Sequence, residues 1–153
     1  MRTARHAALA LLFWGFGCAT TGEAQAPPPA SPAAEPTYQF DTPVTLSGLL
    51  ATRKRWGPPG WGESPRSDAR VTILVLRLPN AITVKPTADA EAKNSFSLET
   101  VRHVREIQLY VKDHAAGLKL ARQRATVEGI LNERIVGGDY TPVTMDVTRL
   151  TPK

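Results

Sequence analysis

"VTLSGLL" (Val44–Leu50) and "ATVEGIL" (Ala125–Leu131) share one design, an apolar alternation with glycine in the fifth place. In the first, Val44, Leu46 and Leu50 fall on one face and Thr45 and Ser47 on the other, the period of a half-buried strand. A glycine inside a strand weakens it and marks a bulge or a sharp bend. Two such strands predict a sheet bent hard enough to close on itself, as small barrels require.

The flanking segments agree. "RVTILVLRL" (Arg70–Leu78) is continuously apolar and β-branched, the pattern of a strand covered on both faces. Pro79-Asn80 is expected to break it, with "AITVK" (Ala81–Lys85) following as a short strand. "REIQLYVK" (Arg105–Lys112) alternates, placing Ile107, Leu109 and Val111 inward and Gln108, Tyr110 and Lys112 outward. "TPVTMDVTRL" (Thr141–Leu150) puts Val143, Met145 and Val147 inward. "AAGLKLARQ" (Ala115–Gln123) offers one short helical turn. The fold expected is mainly β, a small five- or six-stranded OB-like barrel (the oligonucleotide/oligosaccharide-binding type) with one short helix. A β-sandwich is the alternative.

The chain has 153 residues. Its first part reads as an address. Residues 1–18 open with Arg2 and Arg5, run apolar from Ala7 to Gly17, and end at Cys18. That stretch is shorter than the about 20 residues a transmembrane helix needs, and it suits a signal peptide. Cys18, the only cysteine, stands where a lipoprotein is cleaved and lipidated. Cleavage after Ala26 is the rival, giving a soluble periplasmic or secreted protein. Residues 19–37 hold five prolines and no large apolar side chain, and read as a disordered polyproline tether. Residues 38–153 then form the barrel domain. The expected location is the bacterial cell envelope, with attachment to the membrane through the lipid.

The composition excludes little else. Of 19 Lys/Arg and 14 Asp/Glu, two of each precede Tyr38, leaving 17 against 12 in the domain. That mild excess is no nucleic-acid signature unless it clusters. Arg53, Lys54, Arg55, Arg122 and Arg124 form the candidate basic patch. Beside Trp56 they would suit nucleic acid or another anionic polymer, although the exported address disfavours nucleic acid as a partner.

The run "VTLSGLL", "GPPGWGESP", "ILVLRL", "IQLYV", "ATVEGIL", "GGDYTPVTMDV" resembles a bacterial envelope family, domain of unknown function 4431, over nearly all of residues 43–150. Gly57-Pro58-Pro59, Glu63-Ser64 and Thr141 are the most specific pieces. The resemblance implies a small β-rich exported domain and no established activity. That family commonly carries histidines in the turn before the last strand. This chain has Gly137-Gly138-Asp139-Tyr140 there, so no metal role carries over.

Catalysis finds no support in the residues. His103 and His114 lack converging partners at ligand spacing, so no metal and no cofactor are expected. Ser47 and Ser64 sit in no nucleophile elbow. Glu63 and Asp68 could pair as acid and base in a hydrolase, but such residues more often form turns. What remains is "RWGPPGWGESP" (Arg55–Pro65), with two tryptophans among three glycines and three prolines. It lies between the first two long strands, where binding barrels contact ligands. Trp56, Trp61, Pro58, Pro59 and Tyr140 form a candidate aromatic platform for an envelope saccharide or peptide. Tryptophan is heavily buried on average, so Trp61 is expected to fold back over the barrel's end and Trp56 to be the exposed one. The function expected is a non-catalytic envelope binding or scaffolding module.

Overall fold

The computed structural model describes residues 34–89 and 99–153. The candidate signal peptide, Cys18 and most of the tether lie outside them. Six strands follow in order: β1 (Thr37–Gln39), β2 (Pro43–Trp56), β3 (Arg70–Lys85), β4 (Val101–Tyr110), β5 (Arg124–Glu133) and β6 (Val143–Pro152). One helix, α1 (His114–Lys119), lies between β4 and β5.

The sheet runs β1-β3-β2-β5-β6-β4, and β3 also pairs with β4. That last pairing closes β2 to β6 into a five-stranded ring, with β1 added outside it along β3. Four of the five contacts around the ring are antiparallel, and β4 with β6 is parallel. The expected OB-like barrel is therefore the observed architecture, with its short helix between the third and fourth barrel strands. Closure leaves the ring no edge of its own, whereas a sandwich would keep two separate sheets.

The alternating segments bury the faces expected of them. Leu46, Leu50, Leu74, Leu76, Ile107, Leu109, Val127, Leu131, Val143 and Met145 make the core with Phe40. Every member of that core lies between Phe40 and Met145, and the described residues belong to one compact unit. The two mid-strand glycines do what the sequence suggests. A Cβ on Gly48 would lie 2.4 Å from the carbonyl oxygen of Arg77, and one on Gly129 would lie 2.3 Å from that of Asp146. Neighbouring backbones pass where a side chain would begin. At Gly129 the ladder with β6 also shifts register.

Three expectations need correction. β3 runs unbroken through Pro79-Asn80. Its register with β4 jumps between Arg77 and Ile82, so the breaker pair sits in an irregularity that spares the ladder a proline. β4 starts at Val101, four residues before the alternation is legible, with His103 at a positive φ of 58°. β1 begins at Thr37, inside the stretch read as tether. Glu35 is already fixed there. Its carboxylate accepts from Thr83 Oγ1 at 3.1 Å and lies 2.5 Å from His103 Nδ1.

Candidate functional site: an aromatic cleft between two loops

Two loops rise beside each other, residues 57–69 between β2 and β3 and residues 134–142 between β5 and β6. The first is closed at its base by Gly57 N–H donating to Ala69 O and Ala69 N–H to Pro58 O, at 2.7 and 2.9 Å. The Pro58–Pro59 peptide bond is cis. The loop is pinned from inside by Asp68, buried, whose carboxylate accepts from the backbone N–H groups of Gly60, Gly62 and Ser64 at 2.7, 2.7 and 3.1 Å. Burial alone would push this carboxyl up. The three N–H groups outweigh it and hold it below the ordinary carboxylate range.

The second loop repeats the device. Asp139, buried, accepts from Ile135 N–H and Val136 N–H at 2.9 and 3.0 Å and from the Tyr110 hydroxyl at 2.5 Å. Its carboxyl too sits low. Burial works upward, and the Tyr110 hydroxyl and the two backbone donors overcome it. Tyr110 is pushed far up in turn, first by burial and then by its bond to Asp139. Gln108 ties this loop to β4. Its Nε2 donates to Gly138 O at 3.0 Å and its Oε1 accepts from Tyr140 N–H at 2.9 Å. Gln108 does lie opposite the core face, as its alternation says, yet it is buried because the loop covers it.

Tyr140 joins the two loops. Its hydroxyl donates to Trp56 O at 2.5 Å, and its ring centroid lies 6.2 Å from that of Trp61 in a tilted arrangement. The next lining residues come from β3 and β4. The last register pair on this side is Val75 with Gln108. Beyond it the strands part around an open cleft of about 240 Å³, walled by Pro58, Trp61, Ile73, Tyr110, His114 and Tyr140.

The two tryptophans exchange their expected places. Trp56 is half-buried, with Gly62 against its ring edge and the Arg70 guanidinium stacked 3.1 Å from its ring centre. Trp61 is 45% exposed. It stands on a left-handed backbone, φ 53°, a conformation that a bulky residue rarely adopts. Gly137 and Gly138 of the second loop lie flat against one side of its indole. Such a backbone costs on the order of 1 kcal/mol and persists only where the surrounding structure over-determines it. Trp61→Gly should relieve that strain while Trp61→Ala keeps it. We expect Trp61→Gly to melt above Trp61→Ala, by about 1 kcal/mol in a denaturant titration, and both to remain folded. The reverse order would mean that the backbone at position 61 is not strained in the folded protein.

Of the candidate residues, the structure brings Trp61, Pro58 and Tyr140 together. Trp56 supports the platform from behind, and Pro59 is exposed outside the cleft lining. Tyr110, Gln108 and His114 join a site for which the sequence did not nominate them. Alternation assigned Tyr110 and Gln108 merely to the outward face. His114 Nε2 donates to Thr72 O at 2.9 Å, fixing the start of α1 beside the cleft.

The basic candidates Arg53, Lys54 and Arg55 lie on β2, Arg122 in the turn after α1, and Arg124 on β5. Arg53 is ion-paired with Glu106, which Arg77 also approaches at 3.2 Å. Arg55 donates to Lys54 O at 3.4 Å. Arg122 sits in a turn at φ 73°, its N–H donating to Leu50 O. Arg124 pairs in register with Leu49, which pairs with Arg77 on its other side. Among the described residues no three acidic, histidine or cysteine side chains converge as metal ligands would, and no helix is long and apolar enough to cross a membrane. No protein-family model matches the chain, and no curated protein matches it.

Proposed function

We propose that this protein is an exported, lipid-anchored binding module of the bacterial envelope, without catalysis, which takes its ligand at the cleft beside Trp61. The observation that carries the reading is the half-exposed indole, held on a strained backbone by a loop whose buried carboxylate fastens three of its N–H groups. Rigid aromatic faces presented to solvent give contact area at low entropy cost. The site also lies on the barrel face and between the loops that OB-like folds use for ligands.

The hydrolase reading draws nothing from the geometry. Asp68 has both oxygens engaged by backbone donors, which leaves Glu63 without the partner that acid–base work needs. The anionic-polymer reading rests on one observation, the exposed Leu49 flanked by Arg77 and Arg124 across three strands. It predicts binding that weakens steeply with salt.

Residues 34–153 contain only Trp56 and Trp61, so intrinsic fluorescence reads the site directly. Titration with peptidoglycan fragments, neutral oligosaccharides and extended peptides should shift the emission for one class, little affected by salt, and Trp61→Gly should abolish the shift. If no class moves the emission while a single-stranded oligonucleotide binds at low salt, the basic face is the site and the cleft is not.

A further inference from the structure

β2 changes partners at a single residue. Its ladder with β5 ends at Leu49 opposite Arg124, and its ladder with β3 begins at Leu49 opposite Arg77. A groove of about 200 Å³ lies at this crossover, lined by Gly48, Leu49, Arg77, Leu78, Pro79 and Arg124. Leu49 is 37% exposed there, and both arginines are exposed. Neighbouring strands lie about 4.8 Å apart, so an arginine position stands one strand away on either side of an apolar side chain.

The positive charge here is not spent within the protein. Arg124 makes no side-chain hydrogen bond or ion pair among the described residues. Arg53 and Arg77 share the one carboxylate of Glu106, so that trio keeps a positive charge. Exposed Arg122 and Lys153 are tied to the same crossover through their backbones. Arg122 N–H donates to Leu50 O, and Lys153 N–H donates to Arg124 O. Five cations thus stand against one carboxylate in this part of the barrel, and no acidic side chain lines the groove. Cations on a strand often guard a sheet edge against pairing. Leu49 is no edge, since β2 is bonded to a neighbour on both sides of it.

An apolar tip among cations fits a bilayer surface that carries anionic headgroups. There the guanidinium groups stay at the phosphate level while the leucine enters between headgroups. A single-stranded nucleic acid needs rings on which its bases stack. The groove lining has none, and Trp56, seven residues along β2, is covered by the Arg70 guanidinium. We propose that this face of the barrel docks on an anionic lipid surface, with Leu49 at its centre and Arg77 and Arg124 as its headgroup contacts. Arg77 lies four residues along β3 from Ile73 of the cleft, about 13 Å, so the two sites can be tested separately. The docking depends neither on the ligand of the cleft nor on a lipid at Cys18.

Residues 34–153 hold every member of the core and lack Cys18, so any membrane affinity they show is the domain's own. They should co-sediment with vesicles of equimolar phosphatidylglycerol and phosphatidylcholine, and not with phosphatidylcholine alone. The binding should weaken as salt rises. A cation near such a surface is worth about fivefold in partitioning. Arg124→Gln should therefore weaken binding about fivefold, and Arg77→Gln combined with it about 25-fold. Arg124→Lys, which keeps the charge, should bind as the wild type does. Leu49→Ser should weaken binding about threefold at low and high salt alike, because that contact is apolar. Arg66→Gln removes the same charge from the loop between β2 and β3 and should change binding by less than about twofold. Equal losses from Arg66→Gln and Arg124→Gln would reduce the effect to net charge and overturn the face. Failure to bind the anionic vesicles overturns it as well. If a single-stranded oligonucleotide binds instead, and Arg124→Gln releases it, the face belongs to a nucleic acid and the lipid surface is overturned.

Discussion

Gly129→Ala should lower the melting temperature of residues 34–153 by about 10–20 °C, and Gly48→Ala by a comparable amount, the signature of overpacking worth about 3 kcal/mol. The obstacle in each case is backbone. At Gly129 a Cβ would lie 2.3 Å from Asp146 O and 2.9 Å from Met145 Cγ, and at Gly48 it would lie 2.4 Å from Arg77 O. A side chain that clashed only with a flexible tip would rotate it away. Here strands held in ladders must separate by about an ångström, against a core packed like a crystal. Thr45→Ala, an exposed change on β2 beside Gly48, should move the melting point by only a degree or two and serves as the control. A shift at Gly129 as small as that at Thr45 would mean that the strands are not so closely joined.

Asp139→Ala is the second large effect. It should cost about 2–4 kcal/mol in a denaturant titration, because hydrogen bonds to a charged acceptor are the stronger ones and their donors are left behind. The Tyr110 hydroxyl and the N–H groups of Ile135 and Val136 all lose their acceptor. The loop that carries Gly138 and Tyr140 should then loosen, and Trp61, packed against Gly137 and Gly138, should emit further to the red. Asp139→Asn is expected to recover part of the loss, since one oxygen still accepts. An Asp139→Ala protein with native stability and emission would show that Gln108 and Tyr140 suffice to hold the loop.

The same carboxylates set a pH dependence. Asp139 and Asp68 titrate lower in the folded protein than unfolded. Their contribution to stability is therefore complete above the unfolded value of about 4 and is lost as pH falls through the folded values. Tyr110 has the opposite sign. Its folded value is raised, so its contribution is complete below about 10 and is lost only as pH rises further. Stability and binding should be flat across neutral pH and fall on the acid side, with both loops opening together.

How much of this was legible in the sequence depends on range. The strands and the two bends could be read because period-2 burial and an interior glycine are local marks. The passage of β3 through Pro79-Asn80 could not be read. A proline is tolerated there only because β4 shifts register opposite it, and the partner strand is not visible locally. The platform was half legible. Tryptophans, prolines and glycines in one loop announced a built structure, but the general tendency of tryptophan to be buried chose the wrong indole. Trp56 is covered by Arg70, which begins the next strand, and Trp61 is lifted by Asp68, which looks like any turn-forming aspartate. A local signal did exist. An aspartate closing a glycine-rich loop is a common way to gather backbone N–H groups, and both loops contain one. Gln108 gave no signal, because its burial comes from a loop about 30 residues later.

β1 gives the chain a mechanical property. Three parallel rungs on β3, the buried Phe40 with its N–H on Lys85 O, and the Glu35 contacts to Thr83 and His103 all lie where the polypeptide enters the barrel. Tension applied along the strand from its amino end loads those rungs together in shear instead of peeling them one by one. The short strand works like a cleat, taking the pull before it reaches the ring that shapes the cleft.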